Sequence, residues 1–307
     1  MDTRRIGALK VSVVGLGCNN FGRRLDAQAT SAVVDAALEA GITFFDTADT
    51  YGNTKSEEYL GRALGRRREG VVVATKFGSR IDEQRRGARP EYVHRAVDDS
   101  LRRLGTDRID LYQLHWPDPE VPIGETLGAL DELVKAGKVR EVGCSNFSAE
   151  QLREAEEATR EGAARFVSVQ NEYSLLHREP EEEALPECER LGIAFVPYFP
   201  LANGLLTGKY RRGQAAPSGS RLDSSRGEKM LTEENLAVVE QLIEFSASRG
   251  HTILELAFSW LLRLPTVASV IAGSTSAEQA RGNAGAAGWQ LTDEDLNEVD
   301  SIVTSPS

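Results

Sequence analysis

The sequence predicts an α/β fold, a (β/α)8 barrel with an N-terminal β-hairpin and extra C-terminal helices. Short β-branched runs alternate with amphipathic segments along the whole chain. The runs are solidly apolar, which suits strands buried on both faces of a parallel sheet. The 307 residues suit one such barrel, so 1–307 is read as a single domain.

The strand candidates are Val13–Gly17, Thr43–Asp46, Val71–Lys76, Ile109–Leu114, Glu141–Cys144, Phe166–Gln170, Ile193–Pro197 and Val267–Ile271. Helices are expected between them. Gln28–Ala40 ends at Gly41 and Ser56–Leu64 at Gly65, glycine being suited to the left-handed residue that closes a helix. Pro90 opens the next helix and Gly105 closes it. Gly124–Ala136 stops at Gly137, and Ser148 with Gln151 forms a capping box. Glu181–Arg190 precedes Gly192. The long connection from Tyr198 to Thr266 holds a Gly/Ser/Arg-rich loop, Lys209–Arg226, and helices over Glu233–Ser248 and Thr252–Leu262. Arg4–Val11 reads as a hairpin outside the repeat, a plug for the barrel bottom.

A doubly wound dinucleotide-binding sheet is the rival, because Val13–Gly17 resembles a strand entering a phosphate loop. Asn20 stands where the third glycine of GxGxxG belongs, and Gly22 comes two residues late, so the match is weak.

Composition narrows the function classes. Thirty-six basic against 47 acidic residues give a net charge of −11, which argues against a nucleic-acid surface. Cys18, Cys144 and Cys188 lie far apart, as reduced thiols of a cytoplasmic protein would. No secretory h-region or membrane-length apolar run is present, so no membrane partner is expected. His94, His115, His177 and His251 lack metal-ligand spacing, and no GxSxG elbow occurs. No metal is expected, and oligomeric state is not legible.

In a parallel barrel the C-terminal strand ends form the active face. Those ends carry Asp46, Lys76, His115, Ser145, Asn146, Gln170, Tyr198, Gly273 and Ser274. Singly, each has a bland reading: an Asp as a turn former, a Lys snorkelling to solvent, a His satisfied structurally. Their collection on one rim is harder to explain that way. Tyr51 follows Asp46 in the same loop. A neighbouring Lys76 ammonium lowers the tyrosine pKa, Asp46 holds the lysine, and His115 bonds a substrate oxygen. Such a site moves a proton to or from a carbonyl or alcohol oxygen, and a cofactor must supply hydride. Cys144 as a nucleophile is outweighed by its reading as a buried apolar residue.

These residues resemble the aldo-keto reductase family. The resemblance is carried by Gly41-Ile-Thr-Phe-Phe-Asp46-Thr-Ala-Asp-Thr-Tyr51-Gly with Ser56-Glu-Glu-Tyr-Leu-Gly61, and by Ala74-Thr-Lys76-Phe77. Asp110-Leu-Tyr-Gln-Leu-His115-Trp116-Pro117, Lys138-Val-Arg-Glu-Val-Gly-Cys-Ser145-Asn146-Phe147 and Val169-Gln170-Asn-Glu-Tyr173 extend it. It implies NADP(H)-dependent reduction of aldehydes or ketones by a tetrad of Asp46, Tyr51, Lys76 and His115, with Tyr51 as general acid. It implies that Ser145, Asn146 and Gln170 hold the nicotinamide carboxamide and that Tyr198 stacks on its ring. Pro200, Leu201, Asn203, Gly204, Leu206 and Lys209 resemble the pyrophosphate loop. Gly273, Ser274, Thr275, Gln279 and Asn283 resemble the adenosine-phosphate segment, and Gly17, Cys18 and Asn19 join the cofactor contacts. Asn20, Phe21, Phe77 and Trp116 would surround the substrate, the aromatics suggesting an apolar pocket.

The adenosine-phosphate segment departs from the family pattern. Gly273, Thr275 and Gln279 stand where many members carry a basic residue, and Ala272 replaces the usual proline. The branch of bacterial reductases and potassium-channel β subunits instead uses a lysine and an arginine from the long loop. Lys209 and Arg221 resemble those, which favours NADP(H). That branch also supplies the alternative, a redox-sensing or channel-regulatory subunit with little turnover. The intact tetrad favours catalysis of a small-molecule carbonyl substrate.

Overall fold

A computed structural model describes residues 1–223 and 225–304. The chain opens with an antiparallel hairpin, β1 (Thr3–Ile6) and β2 (Leu9–Ser12). The Arg4 guanidinium donates to the carbonyls of Leu262 and Leu264 at 2.6 and 2.7 Å. Ile6, Leu9 and Val11 form an apolar cluster with Phe44, Val72 and Leu111. Phe44 and Val72 begin their strands, so the hairpin plugs the N-terminal end of the barrel, as the sequence suggests.

Eight parallel strands make the wall: β3 (Val14–Gly17), β4 (Phe44–Asp46), β5 (Val72–Phe77), β6 (Ile109–Leu114), β7 (Val139–Ser145), β8 (Phe166–Glu172), β9 (Ala194–Tyr198) and β10 (Val270–Gly273). Each pairs with its sequence neighbour, and β10 lies beside β3. Two backbone bonds close the ring: Phe195 N–H to the Thr266 carbonyl at 2.8 Å, and Ala268 N–H to the Phe195 carbonyl at 3.0 Å. The predicted strand Val267–Ile271 therefore divides. Its first residues close the ring on β9, and only 270–273 form β10.

The helices are α1 (Ala27–Glu39), α2 (Lys55–Leu64), α3 (Pro90–Leu104), α4 (Ile123–Lys135), α5 (Ala149–Ala158), α6 (Ala184–Leu191), α7 (Ser225–Met230), α8 (Glu233–Ser248), α9 (Ile253–Leu262), α10 (Ala277–Gly285) and α11 (Asp293–Thr304). The capping box at α5 forms: Gln151 N–H donates to Ser148 Oγ at 3.2 Å, and Ser148 N–H to Gln151 Oε1 at 3.0 Å. The predicted helix Glu181–Arg190 is shorter and preceded by a 3₁₀ turn, Glu179–Glu181. Glu181 is drawn aside by Arg178, Arg263 and the Tyr173 hydroxyl. None of the described helices is long and apolar enough to cross a membrane.

Candidate active site

The C-terminal strand ends open onto a cavity of about 1250 Å³. Its floor is set by strand alternation. On β6, Leu111 belongs to the apolar plug, Gln113 reaches Asp46, and His115, just past the strand, lines the cavity. Asp46 ends β4 and Lys76 sits on β5, both buried, with Lys76 Nζ 2.6 Å from Asp46 Oδ2. Lys76 also donates to the Thr47 carbonyl at 2.9 Å. Across the barrel, Gln170 and Gln113 donate to Asp46 Oδ1 at 2.9 and 3.3 Å.

Tyr51 comes in on the turn after β4. The next residue, Gly52, has φ +59°, and a Cβ there would stand 2.3 Å from the Phe21 carbonyl oxygen. Only glycine lets this turn seat on the loop after β3. Lys76 Nζ then lies 5.2 Å from the Tyr51 ring centre, and the His115 ring meets the Tyr51 ring edge-on at 5.8 Å.

The electrostatics follow from burial. Burial disfavours the Lys76 ammonium, but the Asp46 carboxylate and Tyr51 outweigh it and hold its pKa above the ordinary value. Burial raises the Tyr51 pKa and Lys76 pulls it down, with burial prevailing. The lysine thus acts in the expected direction without bringing the phenol below its ordinary range. Burial, assisted by Lys76, lowers His115 to about 3, so its imidazole is neutral at physiological pH. Burial raises the Cys18 and Cys144 thiols well up, so neither is a thiolate at neutral pH.

Most of the residues expected around the cofactor line this cavity. Gly17, Cys18 and Asn19 lie along it with Ser145, Asn146, Gln170 and Tyr198. Pro200, Leu201, Asn203, Gly204, Lys209 and Arg221 continue it, and Gly273, Thr275, Gln279 and Asn283 complete it. Leu206 and Ser274 do not line it. Leu206 is fully buried, and Ser274 is buried with its hydroxyl accepting from Asn283 Nδ2 at 3.2 Å. Asn146 is locked by its neighbours: its amide donates to the His115 carbonyl at 2.9 Å, and its oxygen accepts from the Tyr198 hydroxyl at 2.8 Å.

The four residues expected around the substrate divide. Asn20 and Trp116 line the cavity, but Phe21 and Phe77 do not. Phe77 follows Lys76 on β5 and so points the other way, where it stacks on Tyr112 at 4.7 Å between ring centres. Phe21 is fully buried in the same core as Phe77. Of Phe21, Phe77 and Trp116, only the 52% exposed Trp116 lines the cavity, together with the polar side chains of Asn20, Arg23 and Asn53. Arg23, Arg24, Thr50, Asn53, Phe199 and Leu254 were not anticipated. The first four lie in loops that follow β3 and β4, so rim topology was the available signal.

Backbone strain gathers here as well. Among the described residues, the non-glycine positions with positive φ are Asn53, Thr54, Asn146, Phe199, Ala202 and Asn203. Four of them line the cavity and the other two are chain neighbours of lining residues. The long loop crosses over the cavity with Pro217 to Arg221 facing it. It is tied down where the Leu222 N–H donates to the Tyr210 hydroxyl at 3.3 Å and where Arg24 donates to the Gly219 carbonyl.

A dinucleotide fits this donor set. Among the described residues the cavity is lined by the cations Arg23, Arg24, Lys209 and Arg221, whereas the one lining carboxylate, Asp46, is already engaged by Lys76. That balance favours a polyanion. Asn19 Oδ1, Asn203 Oδ1 and His115 Nδ1 are buried without a hydrogen-bond partner among the described residues, the condition expected where a ligand completes the bonding.

A family model described as "Aldo/keto reductase family" matches residues 13–304. The chain is 35% identical over 305 residues to the aldo-keto reductase YhdN of Bacillus subtilis (strain 168), covering 96% of this chain and 91% of that one. It is 35% identical over 298 residues to probable aldo-keto reductase 1 of Glycine max, covering 94% and 85%. The solved glycerol dehydrogenase AKR11B4 from Gluconobacter oxydans is similar with a TM-score of 0.86 at 33% identity, covering 98% of this chain and 95% of that one. The chain belongs to the aldo/keto reductase family.

Proposed function

We propose that the protein is an NADP(H)-dependent oxidoreductase that reduces aldehydes or ketones to alcohols, with Tyr51 as proton donor. The observation that carries this is the Tyr51 phenol at the cavity floor, beside a Lys76 ammonium that is itself paired to Asp46 at 2.6 Å. The nicotinamide cofactor, when bound, supplies the hydride. Tyr51 gives its phenolic proton to the substrate oxygen as charge develops there. Lys76 stabilises the phenolate left behind. His115, neutral, offers a ring N–H to the same oxygen.

Ser145, Asn146 and Gln170 would hold the carboxamide, and Tyr198 would lie against the ring. The loop through Pro200, Leu201, Asn203 and Gly204 would hold the pyrophosphate, with the buried Leu206 packing beneath it. Gly17, Cys18 and Asn19 would border the nicotinamide side, and Gly273, Thr275, Gln279 and Asn283 the adenosine, with the buried Ser274 holding the Asn283 amide. Lys209 and Arg221, both on the cavity, support a 2′-phosphate and hence NADP(H). Three free buried cysteines support a reducing, cytoplasmic setting. Loss of nicotinamide absorbance from NADPH with an aromatic aldehyde tests the reading. Tight NADPH binding with no turnover across a carbonyl panel would point to the regulatory alternative.

A further inference from the structure

Gln113 has no part in the reading above, and its setting calls for one. The inner face of β6 changes character along its length: Leu111 packs in the apolar plug, and Gln113 is the next inward residue. A wholly buried amide costs folding free energy unless it is bonded, and Leu or Met would fill the same space without that cost. Among the described residues its side-chain amide bonds only to Asp46. An ionised carboxylate only accepts, so Gln113 must turn its NH₂ toward Asp46 Oδ1, 3.3 Å away. Its own oxygen is thereby left buried with no partner among the described residues. Room for it comes from the neighbouring strand, where Gly143 is paired with Gln113. A Cβ at Gly143 would stand 3.4 Å from Gln113 Cγ and 2.7 Å from Ser168 Oγ.

Asp46 therefore receives three donors that divide its two oxygens. Lys76 takes Oδ2, while Gln170 and Gln113 take Oδ1. Gln170 lines the cavity. Gln113 does not, so of the two amides on Oδ1 it is the one that ligand exchange in the cavity leaves untouched.

We propose that Gln113 is a positioning residue of the proton-transfer site: it fixes the Asp46 carboxylate so that Oδ2 faces Lys76 and the ammonium is held beside Tyr51. This rests on the reading of Tyr51 as proton donor. The titratable groups facing the cluster are Cys18 after β3, Tyr51 after β4, Lys76 on β5, His115 after β6 and Tyr198 on β9. Cys18 stays a thiol and His115 stays neutral near pH 7, so neither replaces the lysine charge. Without the Gln113 donor the Asp46 carboxylate is free to turn, and the Lys76 ammonium follows Oδ2 away from the Tyr51 ring. Tyr51 then loses part of its positive neighbour, and its pKa rises.

The test uses the whole protein as Gln113→Leu, with Gln113→Glu as the second variant. 4-Nitrobenzaldehyde reduction and 4-nitrobenzyl alcohol oxidation are followed across pH. Gln113→Leu should lower kcat by about tenfold, leave the NADPH KM within about twofold, and move the oxidation profile upward by about half to one pH unit. Gln113→Glu donates only while protonated, so it should retain more activity at low pH and lose it as that carboxyl ionises. A folded Gln113→Leu with an unshifted profile overturns the proposal. If that variant does not fold, a Gln113→Glu profile parallel to wild type does the same.

Tyrosinate absorbance, taken as the difference between each protein and its Tyr51→Phe counterpart, reads the Tyr51 titration without turnover. An upward shift there supports the proposal even if neither nitrobenzyl compound reacts, and no shift overturns it. A fully active Tyr51→Phe in the wild-type background would instead sink the proton-donor reading itself.

Discussion

Arg281 is ion-paired to Glu39 on α1 at 3.0 Å, which directs the one cation of α10 away from the cavity. Gln279, its close neighbour, is also engaged, accepting from the Thr275 N–H at 2.8 Å. Any charge for a 2′-phosphate must come from the long loop or the β3 rim. Lys209→Ala combined with Arg221→Ala is expected to weaken NADPH binding by ~1–3 kcal/mol or more, with a much smaller change for NADH. Fluorescence titration of both cofactors decides it. Equal losses would assign these cations to the pyrophosphate, and a wild-type preference for NADH would overturn NADP(H).

Removing the phenolic hydroxyl should stop the chemistry and spare the fold. Tyr51→Phe is expected to lower carbonyl reduction at least ~100-fold while NADPH still binds, since general acid catalysis typically contributes that much. Steady-state rates beside cofactor titration are the check. Turnover like wild type would remove Tyr51 from the mechanism.

Lys76 is the cation that partly offsets the effect of burial on Tyr51. With Lys76→Met the phenol should ionise only at higher pH. The alcohol-oxidation profile should therefore move upward and its maximum rate should fall. The sign is fixed by removing a positive neighbour from an acid that ionises to an anion. A profile identical to wild type would reduce Lys76 to a structural partner of Asp46.

Asp49 carries a pH dependence of stability. It is buried near Glu57 and Arg103, and accepts a long bond of 3.5 Å from the Tyr92 hydroxyl. Glu57 holds the arginine at 2.6 Å. Burial first, then the Glu57 charge, raises Asp49 to about 8. A raised acid stabilises the fold while protonated. Its contribution is full below about pH 4, the ordinary carboxylate range, and is lost as pH rises toward 8. Asp49→Asn, neutral throughout, should narrow the drop in Tm between pH 5 and pH 8. Parallel melting curves for the two proteins would mean that Asp49 titrates normally.

The bond from Arg24 to the Gly219 carbonyl fastens the long loop across the cavity. Arg24→Ala should therefore speed NADP(H) dissociation, seen by stopped-flow displacement. Where cofactor release limits turnover, kcat should rise rather than fall. An unchanged dissociation rate would show that the Tyr210 hydroxyl and its bond from the Leu222 N–H hold the loop unaided.

The sequence by itself determined the alternation of elements, the plug and the rim. Apolar runs of strand length, glycines after helices and the Ser148–Gln151 box are local signals, and local backbone energetics enforce them. Asp46, Lys76 and His115 could be brought together because a parallel barrel puts every strand's C-terminal end on one face. Tertiary structure alone decided which neighbours each side chain meets. It turned Phe77 outward, since the residue after an inward Lys76 must face the helices. It divided 267–273 between ring closure and β10, because one segment had to pair with both edges. It sent Arg281 to Glu39, a partner 242 residues away. It also placed Gln113 against Asp46 from 67 residues away. Contacts between residues that distant in sequence are fixed by packing after the chain has closed, and no window of sequence contains both partners.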